Sequence, residues 1–314
     1  MKVGIIGMGW VGSSVAISTL HGGVARELLI HDLKLEIAEG EAMDLAHGSS
    51  FYPRTDIRVA AVEDMLHADA IVIAAGIGGG PDSSRLSLLV ANAAIARDLG
   101  AKLRQFQGLV IVVTNPVDVM TQLITETSGL PSARVIGTGT LLDTSRLRQI
   151  LGQRLILDPR SVHAQVVGEH GDSEVCLWSS AHVGGTSLRN VATWHRDDEP
   201  AVAAEVRGAA YEIIRRKGAT NHAIGLVTAA LLRRCLRDEH QILTVSRVQD
   251  GACGLRDVAL SLPAVITCRG AERVLVPPLD DGEREALHRS AELLRHARGS
   301  IDSPASAAPR RSDS

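Results

Sequence analysis

No long basic run occurs in this 314-residue chain, and its charges nearly cancel, with 33 Lys and Arg against 36 Asp and Glu for a net charge of −3. That leaves no electrostatic footprint for nucleic acid. No apolar run approaches the roughly 20 residues needed to cross a bilayer. The start, Lys2 followed by a short apolar segment and glycines, has neither the apolar core nor the cleavage site of a secretion signal. Cys176, Cys235, Cys253 and Cys268 stand far apart and form no Cys-x-x-Cys pair. This fits ordinary reduced cysteines in a cytosolic protein and implies no metal. No internal repeat recurs. The expectation is a soluble, cytoplasmic protein with no nucleic-acid or membrane partner, long enough for two domains.

What is present is an alternation of short apolar runs and helical stretches. Val3–Ile6, Leu28–His31, Ile57–Ala60, Ala70–Ala75 and Leu109–Thr114 read as strands, and Ser13–Leu20 reads as a helix closed by Gly22-Gly23. Such alternation predicts a parallel sheet covered on both faces. The rhythm changes near Gly137-Thr138-Gly139. Beyond it, helices are predicted at Leu142–Leu151, Ala201–Lys217, Gly225–Arg237 and Asp281–Arg298, with a strand at Ser161–Val167. Asp257–Pro263 and Ala264–Cys268 read as the two strands of a hairpin. The boundaries predicted are 1–138 and 139–299 for the two domains. Residues 300–314, rich in Ser, Ala, Pro and Arg, are predicted to be a disordered tail.

Two motifs carry chemistry. In Gly7-Met8-Gly9-Trp10-Val11-Gly12, Gly7 permits a tight strand-to-helix turn, Gly9 lets a pyrophosphate approach the backbone, and Gly12 lets the helix pack closely. The helix N-terminus offers its free N–H groups and positive dipole end to phosphates. Asp32 follows 20 residues after Gly12, where a carboxylate accepts from ribose hydroxyls and repels a 2′-phosphate, favouring NAD over NADP. The second motif, Val167-Gly168-Glu169-His170-Gly171-Asp172-Ser173-Glu174, supplies a histidine able to exchange a proton beside the dinucleotide. Alone, each candidate has a plainer reading. A GxGxxG turn occurs in unrelated proteins, and one histidine among twelve is more often structural. Asp143 and Arg146, three apart on a helix, can be a surface ion pair, and Asn115-Pro116 an ordinary turn.

Set in order, these segments resemble the lactate/malate dehydrogenase family, closest to bacterial L-lactate and L-2-hydroxyacid dehydrogenases. The resemblance spans roughly residues 1–298. It is carried by the glycine motif, Glu39–Leu45, Ala75–Arg85, Thr114-Asn115-Pro116-Val117-Asp118, Gly137–Arg146, Gly168–Ser173 and Lys217-Gly218-Ala219-Thr220. It implies an α/β chain: an N-terminal Rossmann domain with a doubly wound parallel sheet, then a mixed α/β substrate domain. The implied activity is hydride transfer between NAD and a 2-hydroxy acid. By the same resemblance His170 is the acid/base, Asp143 orients it, Arg146 grips the substrate carboxylate with two parallel hydrogen bonds, and Arg85 lies on a closing loop and polarises the carbonyl. Asn115 lies between cofactor and substrate, and Thr220 and Gly79 line the substrate pocket. Gly7, Gly9, Val11, Gly12, Asp32, Gly76, Ile77, Val113 and Asn115 hold the cofactor. The resemblance further implies a cytoplasmic homo-oligomer, dimer or tetramer. Arg148 and His163 match the pair that binds fructose 1,6-bisphosphate across a subunit interface in allosteric relatives.

The chain departs from the family at Gly79, where lactate dehydrogenases usually carry glutamine and malate dehydrogenases arginine. Without that cation a second substrate carboxylate would be buried unpaired, which argues against malate. Glycine also leaves room for a 2-oxo acid larger than pyruvate, unless neighbouring loop residues refill the space. The expectation is therefore an L-lactate dehydrogenase-like enzyme. An L-2-hydroxyisocaproate-type dehydrogenase is the alternative. A malate dehydrogenase and a catalytically inactive NAD-binding paralogue are the weaker readings.

Overall fold

The computed structural model describes residues 1–78 and 85–302. The first half alternates strand and helix: β1 (Lys2–Ile6), α1 (Trp10–His21), β2 (Glu27–His31), α2 (Leu35–His47), β3 (Asp56–Val59), β4 (Ala70–Ile73), α3 (Arg85–Lys102), β5 (Leu109–Val112), α4 (Val117–Ser128) and β6 (Val135–Gly137). The second half begins with α5 (Leu141–Leu155) and the two-residue strands β7 (Val162–His163), β8 (Val166–Val167), β9 (Val175–Cys176), β10 (His182–Val183) and β11 (Thr186–Ser187). It continues through α6 (Glu199–Lys217), α7 (His222–Leu236), β12 (Gln241–Asp250), β13 (Arg256–Thr267), β14 (Gly270–Val274) and α8 (Asp281–Ile301).

A nine-stranded sheet runs in the order β14-β13-β12-β6-β5-β4-β1-β2-β3, parallel from β6 to β3 and antiparallel from β6 to β14. Every residue of β4 and β5 is buried, as expected of strands covered on both faces. One cover is built on α3, α4 and α8, with Phe106, Met65 and Leu103 in its core. The other is built on α1 and α7, with Leu20, Val15 and Leu231. Chain order reverses between β1 and β4, so the crevice beyond their carboxyl ends is where an α/β sheet of this kind accepts a ligand. A smaller cluster between α5 and α6 holds Trp178 and Trp194 stacked with centroids 5.9 Å apart.

Three sequence expectations need correction, and one strand went unread. Asp257–Cys268 is not a hairpin, because β13 continues through Pro263, whose hairpin partner is β12. Pro263 is accommodated because it needs only its carbonyl there, which accepts from Leu275 N. β12 itself went unread: Thr244, Ser246, Arg247 and Gln249 are buried in it, and polar residues blur an apolar strand pattern. The strand expected at Ser161–Val167 divides into β7 and β8, which join different small sheets. The tail does not start at 300, since Ser300 and Ile301 complete α8 and Ile301 is only 5% exposed in the core.

Ile301→Ala should therefore destabilise the protein by about 2–5 kcal/mol, the usual cost of truncating a buried isoleucine. Urea unfolding measures it, and an unchanged midpoint would mean the helix end contributes nothing to the core.

Candidate active site

The glycine motif forms the link from β1 to α1. Gly7 has φ +95°, and a side chain on Gly12 would strike the Gly7 carbonyl oxygen at 1.8 Å, so both positions require glycine. A side chain on Gly9 would meet nothing within 4 Å, which leaves open space above the turn. The α1 N-terminus has no side-chain cap and no acidic residue in its first turn. Its free N–H groups thus suit the pyrophosphate of a dinucleotide. At the end of β2, Asp32 accepts from Met8 N at 2.8 Å and Lys34 N at 2.9 Å. These bonds fix its carboxylate beside the turn and leave lone pairs for ribose hydroxyls.

The far wall of this crevice is tied by a residue that sequence reasoning missed. Asn92, buried on α3, accepts from Ile77 N at 2.7 Å and donates to Asn115 O at 2.9 Å. It joins the segments after β4 and β5, which carry Gly76, Ile77, Val113 and Asn115. The signal was a lone polar residue at helical spacing among Leu89, Ala93 and Ala96. Gly79 lies outside the described residues, as does the side chain of Arg85, which begins α3.

The second half brings its candidates onto one strand. Gly168 and Ser261 of β13 exchange two main-chain hydrogen bonds of 2.9 Å. The Ser261 hydroxyl accepts from Thr140 N at 2.9 Å, and the Thr140 hydroxyl donates to Val166 O at 2.6 Å. This stitching places the first turn of α5 against the loop after β8. There Asp143 Oδ2 lies 2.5 Å from His170 Nδ1, and Arg146 Nη1 donates to Asp143 Oδ1 at 2.7 Å. The side chain of Asp143 is 2% exposed, that of Arg146 13% and that of His170 24%.

A carboxylate only accepts, so the proton on the Asp143 side of the ring belongs to Nδ1, and Nε2 faces outward with no hydrogen-bond partner among the described residues. Burial works against a charged imidazole. The charge and hydrogen bond of Asp143 outweigh it, and His170 is raised to about 9. Burial likewise opposes the Asp143 anion, but His170 and Arg146 hold its pKa below the usual aspartate value. The arrangement is a proton donor that remains loaded at neutral pH beside a guanidinium with further donors to spare.

Thr220 is half-buried in the link between α6 and α7, where Asn221 donates to the Ser14 hydroxyl at 2.9 Å and ties this link to α1. Thr220 makes no hydrogen bond to the His170–Asp143 pair. Arg148 and His163 line one cavity of about 400 Å3 together with Gln165, Ser180 and Ile242. Arg148 Nε donates to Ala164 O at 3.0 Å.

Two family models match the chain: "lactate/malate dehydrogenase, NAD binding domain" over residues 1–137, and "lactate/malate dehydrogenase, alpha/beta C-terminal domain" over residues 140–301. Among curated proteins, the L-lactate dehydrogenase of Thermus aquaticus is 44% identical over 308 residues, covering 96% of this chain and 99% of that protein. The L-lactate dehydrogenase of Salinibacter ruber is 44% identical over 306 residues, covering 95% and 97%. Among solved structures, the minor L-lactate dehydrogenase of Enterococcus mundtii superposes with a TM-score of 0.93 at 36% identity, covering 96% of this chain and 98% of that one.

Because the folded pKa of His170 lies above its ordinary 6.5, the ion pair adds stability that is full below about pH 6.5 and is lost as pH rises through about 9. Asp143→Asn should return the His170 titration to well below 9, since burial and Arg146 then act unopposed by Asp143. Imidazole NMR follows it, and a midpoint still near 9 in the variant would show that Asp143 does not set the charge.

Proposed function

Because this chain belongs to the lactate/malate dehydrogenase family, we propose for it the chemistry that its His170–Asp143–Arg146 unit is built to perform. It is an NAD-dependent oxidoreductase of the L-lactate dehydrogenase type, interconverting a 2-oxo monocarboxylic acid and its 2-hydroxy acid. Residues 1–138 bind the cofactor and residues from 139 onward bind the substrate, on either side of the crevice. Gly7, Gly9, Val11 and Gly12 cradle the pyrophosphate, Asp32 takes the ribose hydroxyls, and Gly76, Ile77, Val113 and Asn115 line the opposite wall. Bound there, NADH supplies the hydride for the carbonyl carbon.

Arg146 orients the substrate through its carboxylate, using Nη2 and the second Nη1 proton while Asp143 holds the first. His170 Nε2 then gives its proton to the ketone oxygen, and the resulting neutral ring stays oriented by Asp143. In the reverse direction the same nitrogen takes the hydroxyl proton. Asn115 contributes an amide to the carbonyl, Thr220 forms part of the pocket wall, and Arg85 closes over the site with its loop. The observation that carries this reading is an imidazole with one nitrogen fixed by a buried carboxylate and the other free, with an arginine on the second oxygen of the same carboxylate.

Arg148 and His163, facing one cavity, are the proposed fructose 1,6-bisphosphate contacts. A homodimer or tetramer is supported by apolar side chains left exposed on α1 and α2, among them Trp10, Ile17 and Leu35. No described helix is long and apolar enough to cross a membrane, and the four cysteines are unpaired, which supports a cytoplasmic setting.

His170→Ala should lower turnover about 10²–10⁴-fold, the usual general acid–base contribution, while NADH still binds. Steady-state kinetics with a fluorescence titration of NADH decides it, and turnover within twofold of wild type would remove His170 from the reaction. Gly79 tests the substrate side chain. The wild type should reduce 2-oxoisocaproate at least as well as pyruvate, and Gly79→Gln should restore preference for pyruvate. Each methylene is worth about 1–3 kcal/mol in such a pocket, so the preference should be graded. An unchanged ranking in the variant would place Gly79 away from the substrate.

A further inference from the structure

Asp118 lies in the first turn of α4 and is 2% exposed. Its Oδ2 accepts the main-chain N–H of His170 at 2.7 Å, across 52 residues of sequence. Its Oδ1 has no hydrogen-bond partner among the described residues. The hydroxyl of Ser246, buried on β12, favours the Asp118 anion without completing a hydrogen bond of normal geometry. Burial pushes the Asp118 carboxyl up to about 6, with the Ser246 hydroxyl, the His170 N–H and the charge of His170 opposing the rise. Asp118 is therefore ionised above neutral pH, an anion buried under the histidine loop with a half-satisfied carboxylate. A main-chain N–H alone would not require this, because an asparagine oxygen accepts the same bond without the cost of burying a charge.

The groups around His170 divide clearly. From α5 it faces Asp143, which favours the charged ring, and Arg146, which opposes it. From α4 it faces Asp118, which also favours the charged ring. Its own loop adds Glu169, whose charge bears on Asp118, and Glu174, a buried carboxyl pushed up to about 8 by burial and then by Asp143. Glu174 is thus neutral at pH 7, leaving Asp118 as the second buried anion at the ring.

We propose that Asp118 is a positioning residue for the proton donor: its carboxylate fixes the main chain of His170, and its negative charge joins that of Asp143 in stabilising the imidazolium. The proposal rests on the reading of His170 as the acid. It assigns the two carboxylates different tasks. Asp143 aims the ring through Nδ1, and Asp118 sets the height of the loop and supplies field from beneath.

The test is the pH dependence of kcat/KM for pyruvate in the intact protein, compared between wild type and Asp118→Asn. The amide keeps an oxygen for the His170 N–H but removes the charge. The wild-type profile should fall through a limb near pH 9. The variant's limb should lie about one pH unit lower, the scale of one nearby opposite charge, with NADH affinity retained. Asp118→Ser, smaller and also neutral, makes the same comparison if the amide does not fold. Limbs that superimpose overturn the role of Asp118, whereas a wild-type profile without an alkaline limb overturns the reading of His170 and this inference with it.

Discussion

Asp143 carries a negative charge where almost no water reaches it, and much of the surrounding structure can be understood as what that requires. An isolated carboxylate at 2% exposure would be protonated or would destabilise the fold. Here each oxygen has a cationic partner, Arg146 on one side and His170 on the other. The consequence is reciprocal. The anion is kept by two cations, and the histidine is kept charged by the anion. A reaction that consumes a proton at a ketone oxygen thereby finds that proton already in place, on the nitrogen that faces away from Asp143.

Holding this pair together falls to the sheet. Asp143 belongs to α5, His170 to the loop after β8, and both are referenced to Ser261 of β13, through Thr140 and Gly168. β13 pairs with β12, which joins β6 of the parallel sheet, so His170 and the glycine turn after β1 share one nine-stranded frame. That is why two halves matched by separate family models can present one crevice. The stacked tryptophans lie under α5 and α6, away from this frame, and support the helix that carries both Asp143 and Arg146.

The parallel half was legible because its strands are buried on both faces and so read as unbroken apolar runs, as at Ala70–Ile73 and Leu109–Val112. The glycine turn and Asp32 were legible because backbone geometry restricts the residue type at Gly7 and Gly12. β12 was not, since Thr244 and Arg247 are buried polar residues whose partners, Thr144 and Ala271, lie far away in sequence. Pro263, where the two expected hairpin strands met, lies inside β13, since a proline breaks a strand only where its missing N–H is needed. Asp118 and Asn92 show the limit most clearly. Each acts through a hydrogen bond to a segment distant in the chain, His170 for one and Asn115 for the other, and a local pattern can mark such a residue as buried, as at Asn92, but cannot name its partner. The pairing of His170 with Asp143 came from resemblance, and geometry supplied what resemblance lacks, the burial that makes the pair matter.

If the imidazolium of His170 is the form that receives a 2-oxo acid, its charge must show in binding. Oxamate, an isostere of pyruvate whose amide carbonyl does not accept hydride, isolates binding from turnover. Its affinity for the NADH-loaded protein, measured by calorimetry across pH, should be flat up to about 9 and should then weaken about tenfold per pH unit as the single proton is lost. An affinity that stays constant to pH 10.5 would rule this out, because the substrate would then bind without regard to the charge that Asp143 is buried to maintain.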